Sequence, residues 1–300
     1  MAIVFKDLPD EELIYGQKSC QGCGALLAGR LAMKVLGKKT VLATPACCFA
    51  ATTSVYPESA IFVNNVVTAF PALASTLAGM SVGGEALGWD DDITYVGIGG
   101  DGGTLDIGLQ ALSGAVERND NILYICYDNE AYMNTGTQKS SLTPYGASTT
   151  TTPVGRVLKG NASEKKDMFG IVAAHGIPYA ATASVGYIDD YVAKVRHAAS
   201  IKGTKYIHVL APCPTGWGIP VDRTIDFARM AVDCGLWPLA EFEGGRFRLN
   251  RPMKDSGALQ EYIRGQKRFR HLGTDDIEHI ERSRDARWEY IASAWEQRYS

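Results

Sequence analysis

The sequence lacks a surplus of positive charge, since 30 lysine and arginine residues stand against 33 acidic residues. Proteins that bind nucleic acid mainly through its phosphates carry an excess of basic residues, so this balance excludes nucleic acid as the main partner. The sequence also has no internal repeat and no low-complexity segment, and its composition is that of an ordinary globular protein. Fibrous, disordered and small disulfide-rich classes are therefore excluded.

A long apolar run of the kind that crosses a membrane is missing as well. Residues 61–84 carry no charge, but they include two asparagines, a proline and four serine or threonine residues. A helix in lipid would have to satisfy these polar groups internally, so we predict that the segment is buried in a protein core. The stretch from Met1 to Leu13 holds five charged residues and has no signal-peptide pattern. We therefore predict a cytoplasmic protein with no membrane partner.

Strand and helix patterns alternate through the first part of the chain. Apolar, β-branched runs predict strands, with helical periodicity between them, at residues 41–43, 93–98, 122–127, 179–183 and 206–210. This alternation predicts the α/β class, with a mostly parallel, doubly wound sheet and helices on both faces.

The pattern changes near residue 220, where we place a domain boundary between residues 1–220 and 221–300. The second part predicts a helix, a hairpin that turns at Gly244-Gly245, and two charged amphipathic helices at 255–270 and 274–299. This C-terminal helix, hairpin and helical arm is either a solvated appendix or a surface that packs on partner subunits.

A glycine-rich turn follows the strand predicted at 93–98. Its residues are Gly99, Gly100, Asp101, Gly102 and Gly103, and a helical pattern comes next. Such a turn allows backbone N–H groups to approach a phosphate closely.

A second polar position lies at the end of the next predicted strand, where Asn129 follows Asp101 by 28 residues. Strand ends in a parallel sheet share one edge, and α/β proteins bind ligands there. A carboxylate, an amide oxygen, a backbone carbonyl and phosphate oxygens would together suit Mg²⁺.

Seven cysteines make up the other conspicuous set. Cys20 and Cys23 form a CxxC loop before a helix, while Cys47, Cys48 and Cys213 follow predicted strands. A CxxC loop alone is compatible with zinc, with thiol–disulfide chemistry or with an iron–sulfur cluster. Three loops at one sheet edge can nevertheless supply the four thiolates of a 4Fe–4S cluster. The remaining two cysteines, Cys126 and Cys234, we interpret as core residues.

Jointly, these motifs resemble the β subunits of the 2-oxoacid:ferredoxin oxidoreductases, of the pyruvate or oxalate type. The resemblance extends from Cys20 to Leu272. It rests on the CxxC loop, the Gly-Asp-Gly turn, and the segments Asp128–Gly136, Thr143–Ala147 with Thr149 to Pro153, and Ala211–Trp217. It implies a thiamine-diphosphate-binding fold with two further cofactors, Mg²⁺ and one 4Fe–4S cluster.

The resemblance also implies roles for individual residues. Those implied to bind thiamine diphosphate are Gly100, Asp101, Gly102, Gly103, Asn129, Ala131, Asn134 and Thr135. Among them, Asp101, Asn129 and the carbonyl of Ala131 would hold Mg²⁺, and the cluster ligands would be Cys20, Cys23, Cys48 and Cys213. Cys47 stands where that family has glycine. Asn134 is the implied catalytic residue, near the reacting carbon, with a plain turn residue as the alternative.

Neighbouring polar residues receive other interpretations. We interpret Asp106 as a helix-surface charge, Glu130 as a solvated loop acid, and the Ser/Thr-rich segment 134–152 as a flexible loop that covers the cofactor.

The implied reaction is oxidative decarboxylation of a 2-oxoacid, with electrons passed to ferredoxin. Pyruvate, converted to acetyl-CoA and CO₂, is the favoured substrate, and oxalate and 2-oxoisovalerate are alternatives. The glutamate that activates the cofactor in that family has no counterpart that we can place here, so the chain is predicted to need α and γ/δ subunits. Two other functions stay open: a cluster-free thiamine-dependent decarboxylase or ligase, and an electron-transfer module with a cluster or zinc but no thiamine chemistry.

Overall fold

The computed structural model describes residues 5–10, 12–89, 92–254 and 257–297. The strands in this part of the chain are β1 (Thr40–Pro45), β2 (Ser54–Val55), β3 (Glu58–Ser59), β4 (Asn64–Thr68), β5 (Thr94–Gly100), β6 (Leu123–Asp128), β7 (Tyr179–Ser184), β8 (Lys205–Leu210), β9 (Ala240–Glu243) and β10 (Arg246–Leu249). The α-helices are α1 (Gly24–Leu36), α2 (Cys48–Thr53), α3 (Leu73–Ala86), α4 (Leu109–Glu117), α5 (Met168–Ala174), α6 (Ile188–Ala199), α7 (Pro214–Trp217), α8 (Thr224–Asp233), α9 (Ala258–Arg264) and α10 (Thr274–Gln297). Short 3₁₀ turns occupy Phe5–Asp7 and Lys267–Phe269, and a π-helical segment spans Gly103–Ile107.

Eight of these strands form one sheet in the order β10-β9-β7-β8-β6-β5-β1-β4. The six strands from β4 to β7 in that order are parallel, and only the β9–β10 hairpin at one edge is antiparallel. One apolar cluster joins α1 and α6 to one face of the sheet, and a second joins α3, α4 and α5 to the other. The prediction of an α/β fold with a mostly parallel, doubly wound sheet is confirmed.

The central strands explain where a site can form. Every residue of β6 and β8 is buried, as expected for parallel strands covered by helices on both faces. Since β1, β5, β6 and β8 run in the same direction, the loops that follow them emerge at one edge of the sheet. Those loops contain the adjacent cysteines, the Gly-Asp-Gly turn, Asn129 and Cys213.

The C-terminal residues add two strands to the same sheet and form a third apolar cluster beside it. The hairpin predicted at Gly244-Gly245 is confirmed, and both glycines adopt positive φ angles, of 54° and 80°. α8 is the helix predicted before this hairpin, and α8 and α9 pack with Trp217 and Trp237 in this third apolar cluster. The helix predicted at 255–270 begins at Ala258 and breaks at Gly265. Residues 255, 256 and 298–300, where two predicted helices begin or end, lie outside the described residues.

The prediction of burial for residues 61–84 is wrong in its first half. β4 lies at the edge of the sheet, and Val66 and Val67 are 37% and 48% exposed there. Only the second half, which forms α3, turns an apolar face to the core. Of the helices in the described part of the chain, none combines the length and the apolar character that crossing a membrane requires.

Candidate functional site

A cavity of about 400 Å³ opens at the carboxyl edge of β1, β5 and β6, a size typical of small-molecule sites. It is lined by all eight residues predicted to bind the cofactor: Gly100, Asp101, Gly102, Gly103, Asn129, Ala131, Asn134 and Thr135. Cys47 and Cys48 form part of the same wall. The fold therefore brings the predicted cofactor residues and one predicted cluster ligand to a common space.

The glycine-rich turn is shaped by close packing. A Cβ atom on Gly102 would lie 2.5 Å from ring atoms of Tyr132, which real Cβ contacts do not allow. The hydroxyl of Tyr132 donates to the carbonyl oxygen of Gly102 at 3.0 Å. Glycine is thus required here so that the loop after β6 can close over the turn after β5.

Three oxygen atoms converge beside this turn. The amide oxygen of Asn129 lies 3.0 Å from Oδ1 of Asp101 and 2.9 Å from the carbonyl oxygen of Ala131. Mg²⁺ binds oxygen octahedrally at about 2.0–2.1 Å, which places adjacent ligand oxygens about 2.9 Å apart. Rotating the amide would let its NH₂ group donate to both neighbours, but the oxygen-inward orientation is the one that suits a cation. The three groups named from the sequence fit Mg²⁺ in spacing and in chemistry.

The surroundings of Asp101 support the same assignment. Its side chain is buried, and burial, followed by the nearby carboxylate of Asp128, raises its pKa well above the usual range. The hydroxyl of Ser140 donates to Oδ2 and offsets part of this effect. Within the described ranges, Asp101 forms no ion pair with a lysine, arginine or histidine. A divalent cation would supply the missing positive charge.

The interpretation of Glu130 as a solvated acid is wrong. The residue is 4% exposed, and its carboxylate pairs with Lys165 at 2.7 Å and with Arg268. Burial alone would raise the pKa of Asp128, but Lys165 at 3.1 Å and His208 outweigh that effect and hold it below its usual value. The buried charges behind Asn129 are therefore compensated within the chain.

Asp106 also departs from its interpretation as a plain surface charge. It is half-buried and accepts hydrogen bonds from the backbone and hydroxyl of Ser141. Leu142, Thr143 and Ala147 in the same Ser/Thr-rich segment are almost fully buried. The middle of this segment therefore packs into the domain and delivers Ser140 to Asp101 instead of forming a loose loop, while its first residues, Asn134 and Thr135, line the cavity; that it covers the cofactor stays a prediction.

The four cysteines named as cluster ligands lie within electrostatic reach of one another. Burial raises the pKa of the Cys48 thiol, and Cys213, Cys47, Cys23 and Asp101 raise it further. The pKa of Cys213 is likewise raised by burial and then by Cys23 and Cys20. Cys23, Cys48 and Cys213, whose pKa values are raised mainly by burial and further by neighbouring thiols, are donors whose ionised forms a bound metal would stabilise.

Backbone contacts bring the CxxC loop to Cys213. The N–H of Gly24 donates to the carbonyl of Pro212 at 3.2 Å, and a Cβ on Gly24 would lie 2.7 Å from that same oxygen. The Cys23 sulfur accepts from the N–H of Leu26 at 3.5 Å, and that of Cys213 from the N–H of Gly216 at 3.3 Å. Such N–H···S contacts favour thiolate and tune iron–sulfur clusters.

Cys47 occupies a different environment from its neighbour. Burial raises the pKa of its thiol, which lies against the backbone of Ala50 and the hydroxyl of Tyr127. Cys48, in contrast, interacts with Cys213 and Cys23. This difference favours Cys48 over Cys47 as the ligand. Cys126 and Cys234 are fully buried, as predicted for core residues.

Single-ion sites built from side chains alone are absent from the described residues. Within residues 5–10, 12–89, 92–254 and 257–297, no group of three or more histidine, cysteine, aspartate and glutamate side chains is arranged to hold one metal ion. The oxygen triad of Asp101, Asn129 and Ala131 has only one such side chain. Of the four cysteines named as cluster ligands, Cys48 lines the cofactor cavity, and Cys20 and Cys23 line a separate surface cavity beside α1.

Asn134 and Thr135 lie at the open side of the cavity. Asn134 occupies a turn in which the N–H of Gly136 donates to the carbonyl of Met133 at 3.2 Å. Its amide is exposed and makes no side-chain hydrogen bond to any described residue. The turn interpretation therefore describes its backbone, while its amide is free to contact a ligand. Thr135 donates to the carbonyl of Tyr132 at 3.4 Å.

Sequence reasoning did not find Ser140, Lys165 and Arg268 as site residues. Each reaches the site across 35 to 138 residues of sequence, and each belongs to a type that is common at protein surfaces. None of these three residues belongs to a motif of the family resemblance. The nearest such motif was the segment Thr143–Ala147, which follows Ser140.

Comparison with known proteins gives concordant results. Residues 48–209 match the family model described as thiamine pyrophosphate enzyme, C-terminal TPP binding domain. Pyruvate synthase subunit PorB of Methanocaldococcus jannaschii is 47% identical over 93% of this chain and 96% of its own length. Ketoisovalerate oxidoreductase subunit VorB of Pyrococcus furiosus is 46% identical over 95% of this chain and 94% of its own.

A solved structure shares the fold. The 2-oxoglutarate:ferredoxin oxidoreductase from Magnetococcus marinus, with 2-oxoglutarate, coenzyme A and succinyl-CoA bound, superimposes with a TM-score of 0.59. The match covers 92% of this chain and 94% of that one, at 20% sequence identity. At that identity the likeness is one of fold.

Proposed function

This chain belongs to the β subunits of the 2-oxoacid:ferredoxin oxidoreductases, and we propose that it carries thiamine diphosphate, Mg²⁺ and one 4Fe–4S cluster in such an enzyme. The observation that carries this proposal is the common cavity. Asp101 and Asn129 line it together with Cys48. An electron acceptor beside a thiamine site has a use in an oxidoreductase and none in a simple decarboxylase.

When bound, thiamine diphosphate would supply carbanion chemistry toward the ketone carbon of a 2-oxoacid. The chain's own contribution is to bind and orient it. Asp101, Asn129 and the carbonyl of Ala131 would hold the Mg²⁺ that accompanies the diphosphate. The turn from Gly100 to Gly103 would give the diphosphate room to approach the backbone.

Asn134 is the residue of this chain that would contact the reacting centre. Its unpaired amide lines the cavity, so it can donate to the oxygen on which negative charge develops during the attack. Thr135, next to it, would support the cofactor at the same rim.

The cluster supplies an acceptor that takes electrons singly. Cys20, Cys23, Cys48 and Cys213 would hold it, with Cys48 on the wall of the cavity and Cys20 as the exposed member of the set. Electrons would leave toward the protein surface on the side of Cys20, where a ferredoxin-type partner can approach.

An exposed apolar surface favours a partner at the mouth of the cavity. Val55 and Val67 line the cavity and are about half exposed, while Tyr15 and Phe62 stack on each other at 4.0 Å and are similarly exposed. Contiguous exposed apolar groups mark interfaces. We assign this face to the α subunit, which would supply the glutamate that activates the cofactor. The γ and δ subunits would then continue the electron path.

Pyruvate is our favoured substrate, with CoA as acyl acceptor. The identities to a pyruvate synthase subunit and to a ketoisovalerate oxidoreductase subunit are 47% and 46%, so overall similarity does not rank these two substrates. Oxalate is the third candidate, and it would yield CO₂ without an acyl product.

The proposal is tested on the complete complex, purified without oxygen and analysed for iron, sulfide, magnesium and thiamine diphosphate. We expect about four irons and one thiamine diphosphate for this subunit, beyond any clusters of the other subunits. Cluster without thiamine diphosphate would favour an electron-transfer module, and thiamine diphosphate without iron a cluster-free decarboxylase. Reduction of a viologen dye with pyruvate, 2-oxoisovalerate or oxalate, each with and without CoA, identifies the substrate.

A further inference from the structure

Glu130 stands between two of the proposed magnesium ligands. The side chain of Asn129 and the carbonyl of Ala131 point to the same place, so the chain must turn sharply at the residue between them. Glu130 makes this turn with a φ of 68°, in the left-handed region that residues other than glycine seldom adopt. Something outside the turn must hold it there.

The carboxylate of Glu130 is fixed by two cations. Lys165 lies 2.7 Å from Oε1, and Arg268 donates to Oε2. The side chains of Glu130 and Arg268 are only 5% and 4% exposed, so solvent screens this pair weakly. Arg268 comes from the 3₁₀ turn after α9, in the C-terminal part of the chain.

The backbone around Glu130 is held by a second set of contacts. Trp217 donates from Nε1 to the carbonyl of Asn129 at 2.9 Å, and Thr143 donates to the carbonyl of Glu130 at 2.8 Å. The guanidinium of Arg268 stacks over the Trp217 ring, 4.0 Å from its centre. Arg268 therefore contacts two residues of this arrangement. It pairs by charge with Glu130, which makes the turn, and it stacks on Trp217, which donates to the carbonyl of Asn129.

We propose that Arg268 and Glu130 form a brace that positions the ligands of the magnesium site. Arg268 is a positioning residue, since it contacts neither the three converging oxygens nor the cavity. It holds Glu130 in its left-handed turn, and that turn aims the Asn129 amide and the Ala131 carbonyl at Asp101. The inference rests on the proposed magnesium site and extends it to a residue that lies beyond residues 48–209.

The test compares two buried arginines of the C-terminal region. Arg268→Met removes the brace, and Arg284→Met removes an arginine whose side chain is 2% exposed and whose partners are Glu281, Asp285 and the carbonyl of Cys234. Both variants lose a buried charge, so both lower thermal stability. Only the first is expected to change the affinity for Mg²⁺, by about 10- to 100-fold.

Affinity is measured by calorimetric titration of Mg²⁺ into the complete, chelator-treated complex in the presence of thiamine diphosphate. Hydrogen exchange at residues 129–132 gives an independent readout, and faster exchange is expected in Arg268→Met but not in Arg284→Met. In turnover assays, Arg268→Met should need more Mg²⁺ for half-maximal rate, with kcat largely recovered at saturation. If Arg268→Met does not fold, Arg268→Lys keeps the charge without the stacking fork and should weaken Mg²⁺ binding by a smaller factor.

The outcomes separate the two proposals. Binding of thiamine diphosphate that is independent of Mg²⁺ in the unmodified complex would overturn the magnesium site itself. A Mg²⁺-dependent complex in which the Arg268 and Arg284 variants bind Mg²⁺ equally well would overturn the brace alone. A Glu130→Gly variant adds a check, because glycine takes the left-handed turn freely yet offers Arg268 no carboxylate. If Glu130→Gly also loses affinity for Mg²⁺, the carboxylate of Glu130 is what positions the ligands, and the left-handed backbone alone is not enough.

Discussion

The amide oxygen of Asn129 lies 3.0 Å from a carboxylate oxygen of Asp101, so that two acceptors face each other in a buried place. Without a cation, the Asn129 amide can rotate so that its NH₂ group donates to Asp101 and to the carbonyl of Ala131; with a cation, the oxygen-inward orientation provides a ligand. Cation binding is therefore expected to set the orientation of this amide.

Replacing Asp101 by asparagine should separate binding from stability. We expect Asp101→Asn to abolish Mg²⁺-dependent binding of thiamine diphosphate and to raise the free energy of unfolding of the cofactor-free chain by about 1 kcal/mol, since an acid whose charged form is disfavoured by burial and by Asp128 is replaced by a neutral amide. Chemical denaturation and calorimetry measure the two effects.

Asp128→Asn is the matched control for that change. Asp128 is equally buried, but it pairs with Lys165 and His208, so its replacement removes one of the two carboxylates that compensate the buried charge of Lys165. Stability should fall here by about 3 kcal/mol. A destabilised Asp101→Asn variant that still binds Mg²⁺ normally would contradict the assignment of Asp101.

The adjacent cysteines should differ in their effect on iron content. Cys48→Ser removes the thiol that interacts with Cys213 and Cys23. The anaerobically prepared complex should therefore lose the iron of this subunit, and its visible iron–sulfur absorbance should fall by the share of one cluster. Cys47→Ser keeps all four proposed ligands and should keep the iron. The reverse pattern would assign the cluster to Cys47.

The apolar face assigned to the α subunit should be needed for assembly. Phe62 in that face is 49% exposed, and Leu249 in β10, at the far edge of the sheet, is 36% exposed. Phe62→Glu should prevent the α subunit from co-purifying, because a charge is placed in an apolar contact, whereas Leu249→Glu should leave assembly unchanged. Circular dichroism verifies that both variants fold, and intact assembly with Phe62→Glu would exclude this face from the interface.

Lys205 gives the stability of the chain a predictable pH dependence. Burial, with a smaller effect from Lys202, lowers the pKa of Lys205 to about 8 from an ordinary value of 10.5. Between these two values the unfolded chain keeps a proton that the folded chain has released, so stability should rise with pH in this window, by at most about 3 kcal/mol.

The matching variant is Lys205→Met, which should be more stable than the original chain at pH 7 and lose this rise. Asn121, the partner of Lys205 at 2.8 Å, also accepts from the N–H of Gly203 and keeps that hydrogen bond. Lys39→Met, at an exposed lysine, is the control for general pH effects. The free energy of unfolding is measured by urea denaturation at pH 7 and pH 10. If it changes between these pH values by the same amount in Lys205→Met and Lys39→Met, the prediction is contradicted.

The features that sequence reasoning found are local or topological. The β5 strand, the Gly-Asp-Gly turn and the Gly244-Gly245 hairpin are each specified by adjacent residues, so their patterns could be read directly. The meeting of Asp101 with Asn129 followed from one further rule, that parallel strands end at a common edge. The family resemblance then named the ligands.

The features that it missed depend on distant partners. Glu130 looks like any loop acid until Lys165 and Arg268, 35 and 138 residues away, are known to surround it. Val66 and Val67 read as core residues, and only their place at the edge of the sheet exposes them. No local pattern encodes either outcome.

The family-matched segment, residues 48–209, contains Asp101, Asn129 and Cys48, whereas the other three thiols and the stacked Trp217–Arg268 pair come from the flanking sequence. The proposed oxygen donors thus lie within the segment shared with thiamine pyrophosphate enzymes, and three of the four proposed sulfur donors lie outside it, on both sides. A transplant of that segment into another thiamine enzyme would carry over the diphosphate pocket and leave the electron outlet behind. Engineering one-electron output into a decarboxylase would accordingly need both termini of this chain as well as its centre.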